Sequence, residues 1–286
     1  MISRSVIIVA FLFIAFELFL RITDIPWDTS QNDKSANIIS VQDYIYNYSA
    51  NQLKEDTVIV GTSVSRKLIT DTLGRHYINL AFNAWNSFDG LELVKINGKK
   101  PSCILVETNY AKNQILQPEI SGSLDPVSYY PGITFKSLQL RNQPTGLLIG
   151  WAKNLLKTRI DRLKEKKREN VDLYNFSLQM NKEIMNQPIP DSILDKRFDV
   201  IKSLIDGFKK DGVHIVFYEV PVDKELGETT SLVQVRSYFR KYFPENENLY
   251  IPSPAAAGYV FSDGVHLSAQ SAMEYTLYLK SELHKK

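Results

Sequence analysis

Two short segments hold residue types suited to nucleophilic chemistry. The first is Gly61-Thr62-Ser63-Val64-Ser65, which directly follows the apolar, β-branched run Thr57–Val60 and precedes a helical pattern. A tight strand-to-helix turn sets a serine at the C-terminal end of a strand, where backbone N–H groups and a helix N-terminus favour developing negative charge. The competing reading is an ordinary turn with a helix cap, since Ser and Thr are favoured there. The second segment is Ser262-Asp263-Gly264-Val265-His266-Leu267-Ser268. Asp263 and His266 stand three apart, just before the last helical pattern, for which Ser268 is the expected N-cap. A carboxylate on one imidazole nitrogen fixes the tautomer and leaves the other nitrogen to take a proton from a serine. The bland reading makes Asp263 a turn residue and His266 a surface residue.

Other reactive residue types read as structural. Ser65 rivals Ser63 but is expected to cap the helix. His76 precedes a strand in Gly74-Arg75-His76 and reads as a loop residue, His214 starts an apolar strand and reads as a satisfied structural histidine, and His284 lies in the terminal Lys-rich tail. No pair of histidines has metal-ligand spacing, so neither a metal nor another cofactor is expected. Cys103 is the one cysteine, which rules out an intrachain disulfide and a Cys-based metal cluster; it reads as a small buried hydrophobe. Glu107 reads either as a partner for a substrate hydroxyl or as a structural acceptor. Glu219 and Asp223 are placed at the cleft floor with no role assigned. The net charge of +2 implies no strong pull toward nucleic acid.

These segments need a scaffold. Five apolar runs read as strands: Thr57–Val60, Tyr77–Leu80, Ser102–Glu107, Val213–Val220 and the short Leu249–Ile251. Helical patterns lie between them at about 87–97, 194–210, 229–242 and 268–284. Fully apolar strands alternating with helices imply an α/β fold with a mostly parallel central sheet covered on both faces, a three-layer α/β/α sandwich. Ligands of such sheets bind at the C-terminal ends of the strands. Residues 56–286 form this domain, with an insertion at about 110–190 that breaks the alternation. The insertion reads as turn-rich over Ser121–Pro131 and Asn142–Gly146. A charged helix over Ala152–Asn170 follows, packing Leu155, Leu156, Ile160 and Leu163 onto the domain.

The chain begins with an apolar stretch. Val6–Phe16 is unbroken, Glu17 interrupts, Leu18–Leu20 continue and Arg21 closes it. As a helix, Ser5–Ile22 spans about 27 Å, enough for a thin bilayer or a tilted crossing. No small-x-small cleavage site follows, so residues 1–22 read as an uncleaved, single-pass transmembrane signal anchor. The domain is then extracytoplasmic, although Arg21 weakens the charge signal for that orientation. A cleaved signal peptide and a buried soluble helix are the alternatives. Glu17 reads as a carboxylate reaching the interface or, more sharply, as a contact to a partner membrane protein. Residues 23–55 form a polar stalk and docking segment with Tyr44, Tyr46 and Tyr48.

A Gly-x-Ser after the first strand together with Asp-x-x-His before the final helix resembles the SGNH (GDSL-like) hydrolase and acyltransferase superfamily. The resemblance covers roughly residues 56–284. It implies that Ser63 is the nucleophile, His266 the base and Asp263 the residue orienting it. The family's oxyanion hole combines the nucleophile's own N–H with donors from two further blocks. In this chain those are Ser63, then Ala81 or Asn83 in Tyr77-Ile78-Asn79-Leu80-Ala81-Phe82-Asn83-Ala84, which has no Gly, and Asn109 in Glu107-Thr108-Asn109. With the N-terminal anchor, the chain resembles the membrane-anchored proteins of alginate acetylation and teichoic-acid D-alanylation. That implies serine-dependent O-acyl (O-acetyl) transfer to a cell-envelope polysaccharide beside a membrane-bound O-acyltransferase. The alternatives are a carbohydrate esterase or deacetylase, and a non-catalytic glycan-binding or scaffolding subunit of such a complex.

Overall fold

The computed structural model describes residues 2–23, 25, 27–47, 56–110, 118–156 and 171–285. Backbone contacts divide the chain into two compact units. One gathers the described residues of Met1–Tyr48 and Pro118–Lys164, the other those of Ser49–Gln117 and Glu165–Lys286.

The second unit is built on five parallel strands: β1 (Thr57–Gly61), β2 (Tyr77–Ala81), β3 (Cys103–Glu107), β4 (His214–Tyr218) and β5 (Leu249–Tyr250). They overlap the five expected runs: β1, β3 and β4 are buried from their second residue on, while β2 carries Asn79 and β5 is a short strand at the sheet edge. Side chains alternate across the sheet. Ile59, Leu105, Val216 and Tyr218 face a core that includes Tyr275 and Leu279 of one helix and Met185 of another. On the opposite face, Phe217 packs on Phe239 and Phe243, with ring centroids 6.0 and 5.0 Å apart. A methyl group on Gly90 would lie 2.8 Å from Val60, so that glycine lets its helix lie flat on the sheet. Both faces are therefore covered, and the continuous apolar runs follow from that.

The strand order is β2-β1-β3-β4-β5. The chain steps outward to β2 and then back past β1 to β3. The C-terminal ends of β1 and β3 thus flank the crevice where open α/β sheets bind ligands. Among the described residues the α-helices are α1 (Ile2–Ile22), α2 (Asp33–Gln42), α3 (Thr70–Leu73), α4 (Ser87–Asn97), α5 (Pro118–Leu124), α6 (Pro126–Thr134), α7 (Pro144–Leu155), α8 (Val171–Met185), α9 (Asp191–Lys210), α10 (Lys224–Gly227), α11 (Thr230–Tyr242) and α12 (Ala269–His284). Asn86 opens α4 with a reciprocal capping box to Asp89, and Ser268 caps α12 as expected, its hydroxyl accepting from the Ser271 N–H at 3.2 Å.

The first unit joins α1 and α2 to α5, α6, α7 and the 3₁₀ turns Lys136–Leu138 and Leu140–Asn142. Ser121–Pro131 and most of Asn142–Gly146, expected to be turns, are helical instead. Their prolines start helices: Pro126 and Pro144 occupy the first turn, where the missing N–H costs nothing, and Asp125 caps α6. The charged helix expected over Ala152–Asn170 is described only to Leu156. Ala152–Leu155 end α7, while Ile160 and Leu163 lie outside the described residues. Leu155 and Leu156, expected to pack, are exposed. Within the stalk, Tyr44 is fully buried and Tyr46 donates to the Ser123 carbonyl at 2.9 Å; Tyr48 lies outside the described residues.

Helix α1 is long and apolar enough, over Arg4–Ile22, to cross a membrane, and most of its side chains are exposed. Glu17 has intrachain partners that its sequence position does not announce. It is buried within the first unit, accepting from the N–H groups of Lys136 and Ser137 and from Arg21 Nε, all at 2.9 Å. The carboxylate satisfies the orphan donors that begin the Lys136–Leu138 turn.

Candidate active site

Ser63 occupies the turn that leaves β1. Its Oγ lies 2.8 Å from His266 Nε2, and His266 Nδ1 lies 2.8 Å from Asp263 Oδ2. With the aspartate on Nδ1, that nitrogen donates its proton and Nε2 is left to accept from the serine hydroxyl. The two segments, about two hundred residues apart in sequence, thus meet as one hydrogen-bonded chain at the C-terminal edge of the sheet.

The histidine loop is braced at several points. Phe261 and Leu267 pair as an antiparallel bridge, and the Ser262 N–H donates to the His266 carbonyl at 2.8 Å. Gly264 turns between them with φ +84°, a left-handed conformation that favours glycine. Asp263 Oδ1 accepts from the N–H groups of Val265 (3.0 Å) and His266 (2.8 Å), which holds its other oxygen against the imidazole. Burial pushes the Asp263 carboxyl up. The hydrogen bonds from the His266 ring and from the two backbone N–H groups outweigh that and hold it below the usual aspartate value. From α8, the Asn181 side chain donates to the Asp263 carbonyl at 3.1 Å. The Asp223 N–H donates to the Gly264 carbonyl at 2.8 Å. Asp223 also caps α10 and accepts from the Tyr174 hydroxyl at 2.7 Å, so it supports the loop.

The serine turn rests on a buried carboxylate. Glu107, at the end of β3, accepts from the Thr62 N–H at 2.7 Å and from the Thr62 hydroxyl at 2.8 Å. Ser65 also hydrogen-bonds this carboxylate, through its hydroxyl and its N–H, and receives the Tyr218 hydroxyl at 2.6 Å. Ser65 is therefore a fully buried link, not a helix cap. Of the two readings of Glu107, the structural acceptor is the one its contacts match. Burial pushes its carboxyl above the ordinary value, and the donors from Ser65 and Thr62 oppose that without cancelling it. Gly61 is required by close approach: a methyl group there would lie 2.4 Å from Glu107 Oε2 and 2.8 Å from Ser65 Cβ.

The expected oxyanion donors are unequally placed. None of the hydrogen bonds within the turn uses the Ser63 N–H, which sits beside its own Oγ. The Ala81 N–H donates to the Asn79 side chain at 2.9 Å, closing the end of β2 on itself. Asn83 lies in the turn beyond β2, next to Ala84, whose φ is +61°. The Asn109 amide clamps the end of β4, donating to the Val220 carbonyl at 2.7 Å and accepting from the Val220 N–H at 2.8 Å. Ala81 and half of Asn109 are thus spent on strand ends.

A groove of about 500 Å³ opens beside the histidine loop, lined by Tyr174, Asp223, Lys224, Tyr259, Val260 and Phe261 among others. The remaining histidines stand apart. His76 Nδ1 lies 3.1 Å from Asp56 Oδ1 and its other nitrogen accepts from Arg75 Nε, in the turn before β2. His214, read as a structural histidine, is exposed at the first position of β4. The described residues contain no cluster of three or more potential metal ligands. The Cys103 thiol is pushed up to about 11 by burial.

Sequence reasoning missed Gly264 and Asn181 and left Glu107 and Asp223 open. The Asp-Gly pair was a legible signal for a positive φ, and a glutamate closing an apolar strand signals a buried carboxylate with donors to satisfy. Nothing local marks Asn181. Comparison with models of known protein families and with curated proteins finds no match.

Proposed function

We propose that this chain is a serine-dependent acyl-ester enzyme of the SGNH type that transfers an O-acyl group to a cell-envelope polysaccharide. The observation that carries the proposal is the continuous chain Ser63 Oγ, His266 Nε2, His266 Nδ1, Asp263 Oδ2, with both contacts at 2.8 Å. In the mechanism, Nε2 takes the hydroxyl proton as Ser63 Oγ adds to an acyl carbonyl. The Ser63 N–H, with a donor from the Asn83 turn or Asn109, holds the oxyanion. The donor's alcohol or thiol leaves with the proton from His266, and an acyl-serine remains. A sugar hydroxyl, deprotonated by the same nitrogen, then takes the acyl group, and Ser63 Oγ leaves with that proton returned by His266 Nε2.

Transfer rather than hydrolysis is favoured by the membrane helix, which keeps the site beside a membrane-bound O-acyltransferase supplying the acyl group. Retention of that helix is supported by Glu17 and Arg21: Glu17 accepts from two backbone N–H groups of the first unit, and Arg21 Nη2 donates to the Thr134 carbonyl at 2.8 Å. The domain then faces the periplasm or the extracellular space. The second reading, a scaffolding or glycan-binding subunit without turnover, is favoured by the commitment of Ala81 and Asn109 to strand ends.

Intact mass of the detergent-solubilised full chain after exposure to a fluorophosphonate probe separates the two. Ser63 Oγ displaces fluoride and forms a P–O bond only if it is activated. An adduct on the wild type that Ser63→Ala and His266→Ala both abolish is the expected result. A folded wild type that gains no mass would favour the scaffolding reading.

A further inference from the structure

Helices α6 and α7 are built inside out. In α7, Gly146 and Gly150 face the protein: a methyl group on Gly150 would lie 2.5 Å from Trp27 and one on Gly146 would lie 3.0 Å from the Thr29 carbonyl. The large residues face away, with Leu148 66%, Trp151 51% and Leu155 64% exposed, at the i, i+3, i+7 spacing of one helix face. Helix α6 repeats the arrangement. Gly132 packs on the Tyr46 ring, while Val127 (82%), Tyr130 and Ile133 are exposed at i, i+3, i+6. A helix on a water-facing surface shows the opposite order, polar outside and apolar inside. Small residues toward protein and large apolar residues outward is the order of helices packed in lipid.

The same unit shows at what depth these helices lie. The turn joining α6 to the following segment is bonded to α1. Glu17, which accepts from the Lys136 and Ser137 N–H groups, lies five residues inside the end of α1, about 7 Å along its axis. Phe135 packs edge-on against Phe13, ring centroids 5.5 Å apart, and Phe13 lies deeper still. If α1 crosses a bilayer, the Phe135–Ser137 backbone lies below the level at which α1 leaves it.

We infer that residues 126–155 form a membrane-embedded collar, with α6 and α7 seated in the interfacial layer of the leaflet in which α1 ends. Their apolar faces, Val127 and Ile133 on one and Leu148, Trp151 and Leu155 on the other, lie against acyl chains. The occupant of this surface is lipid, because the surface continues directly from the helix that enters the bilayer. The inference rests on the reading of α1 as a retained membrane helix, and its test reports on that reading separately.

The test uses the full chain with Cys103→Ser and one new cysteine: Val127→Cys, Leu148→Cys, Phe11→Cys within α1, or Lys202→Cys on the exposed face of α9. Each is labelled with NBD and reconstituted alone in phosphatidylcholine–phosphatidylglycerol nanodiscs, with or without lipids bearing a nitroxide on the acyl chain. Blue-shifted emission and acyl-chain quenching at 127, 148 and 11, with water-like emission at 202, is expected. Quenching at 11 with water-like emission at 127 and 148 overturns the collar and leaves the anchor standing. Shielded emission at 127 and 148 without quenching indicates contact between copies and also overturns it. Absence of quenching at 11 removes the anchor and the collar together.

Discussion

Glu107 shows how one buried side chain can hold a turn it does not belong to. Its two oxygens take the Thr62 N–H and hydroxyl, and Ser65 binds the same group, so the residues on both sides of Ser63 are tied to one point. Replacement by glutamine sets an amide N–H₂ against at least one of these donors and lets the turn shift. A displacement of about 1 Å costs on the order of 10²-fold in a positioned reaction, so Glu107→Gln is expected to slow Ser63 labelling by the fluorophosphonate by roughly that factor while the protein stays folded. The same variant carries a pH signature. Because burial raises the folded-state pKa of this carboxyl, its contribution to stability is present below its unfolded value and is lost as pH rises through the folded one. Melting temperature should therefore fall less steeply in Glu107→Gln than in the wild type as pH rises above the ordinary carboxylate range. Parallel curves would show that the group is not titrating as argued.

At the scale of elements, the loop between Phe261 and Leu267 is held by a bridge at its neck, by α8 through Asn181 and by Asp223 at the start of α10. Gly264 is the point where these constraints meet. A methyl group there would lie 2.6 Å from Leu178 Cδ1 and 3.1 Å from Leu226 Cδ1, in addition to the strain of φ +84°. Gly264→Ala is expected to cost about 1–2 kcal/mol from the left-handed backbone alone. It should reduce Ser63 labelling beyond what that loss explains, because Asp263 and His266 flank the strained residue. Chemical denaturation and labelling rates on the same preparation check both parts. A variant with wild-type labelling would mean that α8 and α10 hold the loop without help from the glycine.

The whole molecule combines the α/β unit that carries Ser63, His266 and Asp263 with the first unit, which contains the apolar N-terminal helix. Glu17, Leu20 and Arg21 are built into that first unit, with Leu20 and Glu17 buried. Removal of the helix would take from the Lys136 and Ser137 N–H groups the carboxylate that accepts from both, the Ser137 bond being buried. N-terminal sequencing of the protein recovered from membranes is therefore expected to show a start upstream of Glu17. A mature start near residue 22 or beyond would show a cleaved leader and remove the membrane reading.

What could be read from the linear chain was what depends on neighbours in sequence. The five strands and the α/β class followed from apolar runs buried on both faces, Ser268 from cap chemistry, and α1 from length and apolarity. Ser63, Asp263 and His266 could be chosen because each sits at a strand end or turn whose local pattern is visible. Only the tertiary structure decided that Ser63 and His266 meet at 2.8 Å, because that depends on the parallel order bringing the end of β1 beside the loop before α12. Only it showed that Ala81 and Asn109 serve strand ends, and that Glu17 is held by a segment more than a hundred residues away. The insertion was misread for a related reason. Its prolines, serines and glycines signal turns when helices are taken to pack large side chains inward, and here glycines pack inward while the leucines face out. Periodicity reports that a helix has two faces; which face is buried is settled by what lies against it.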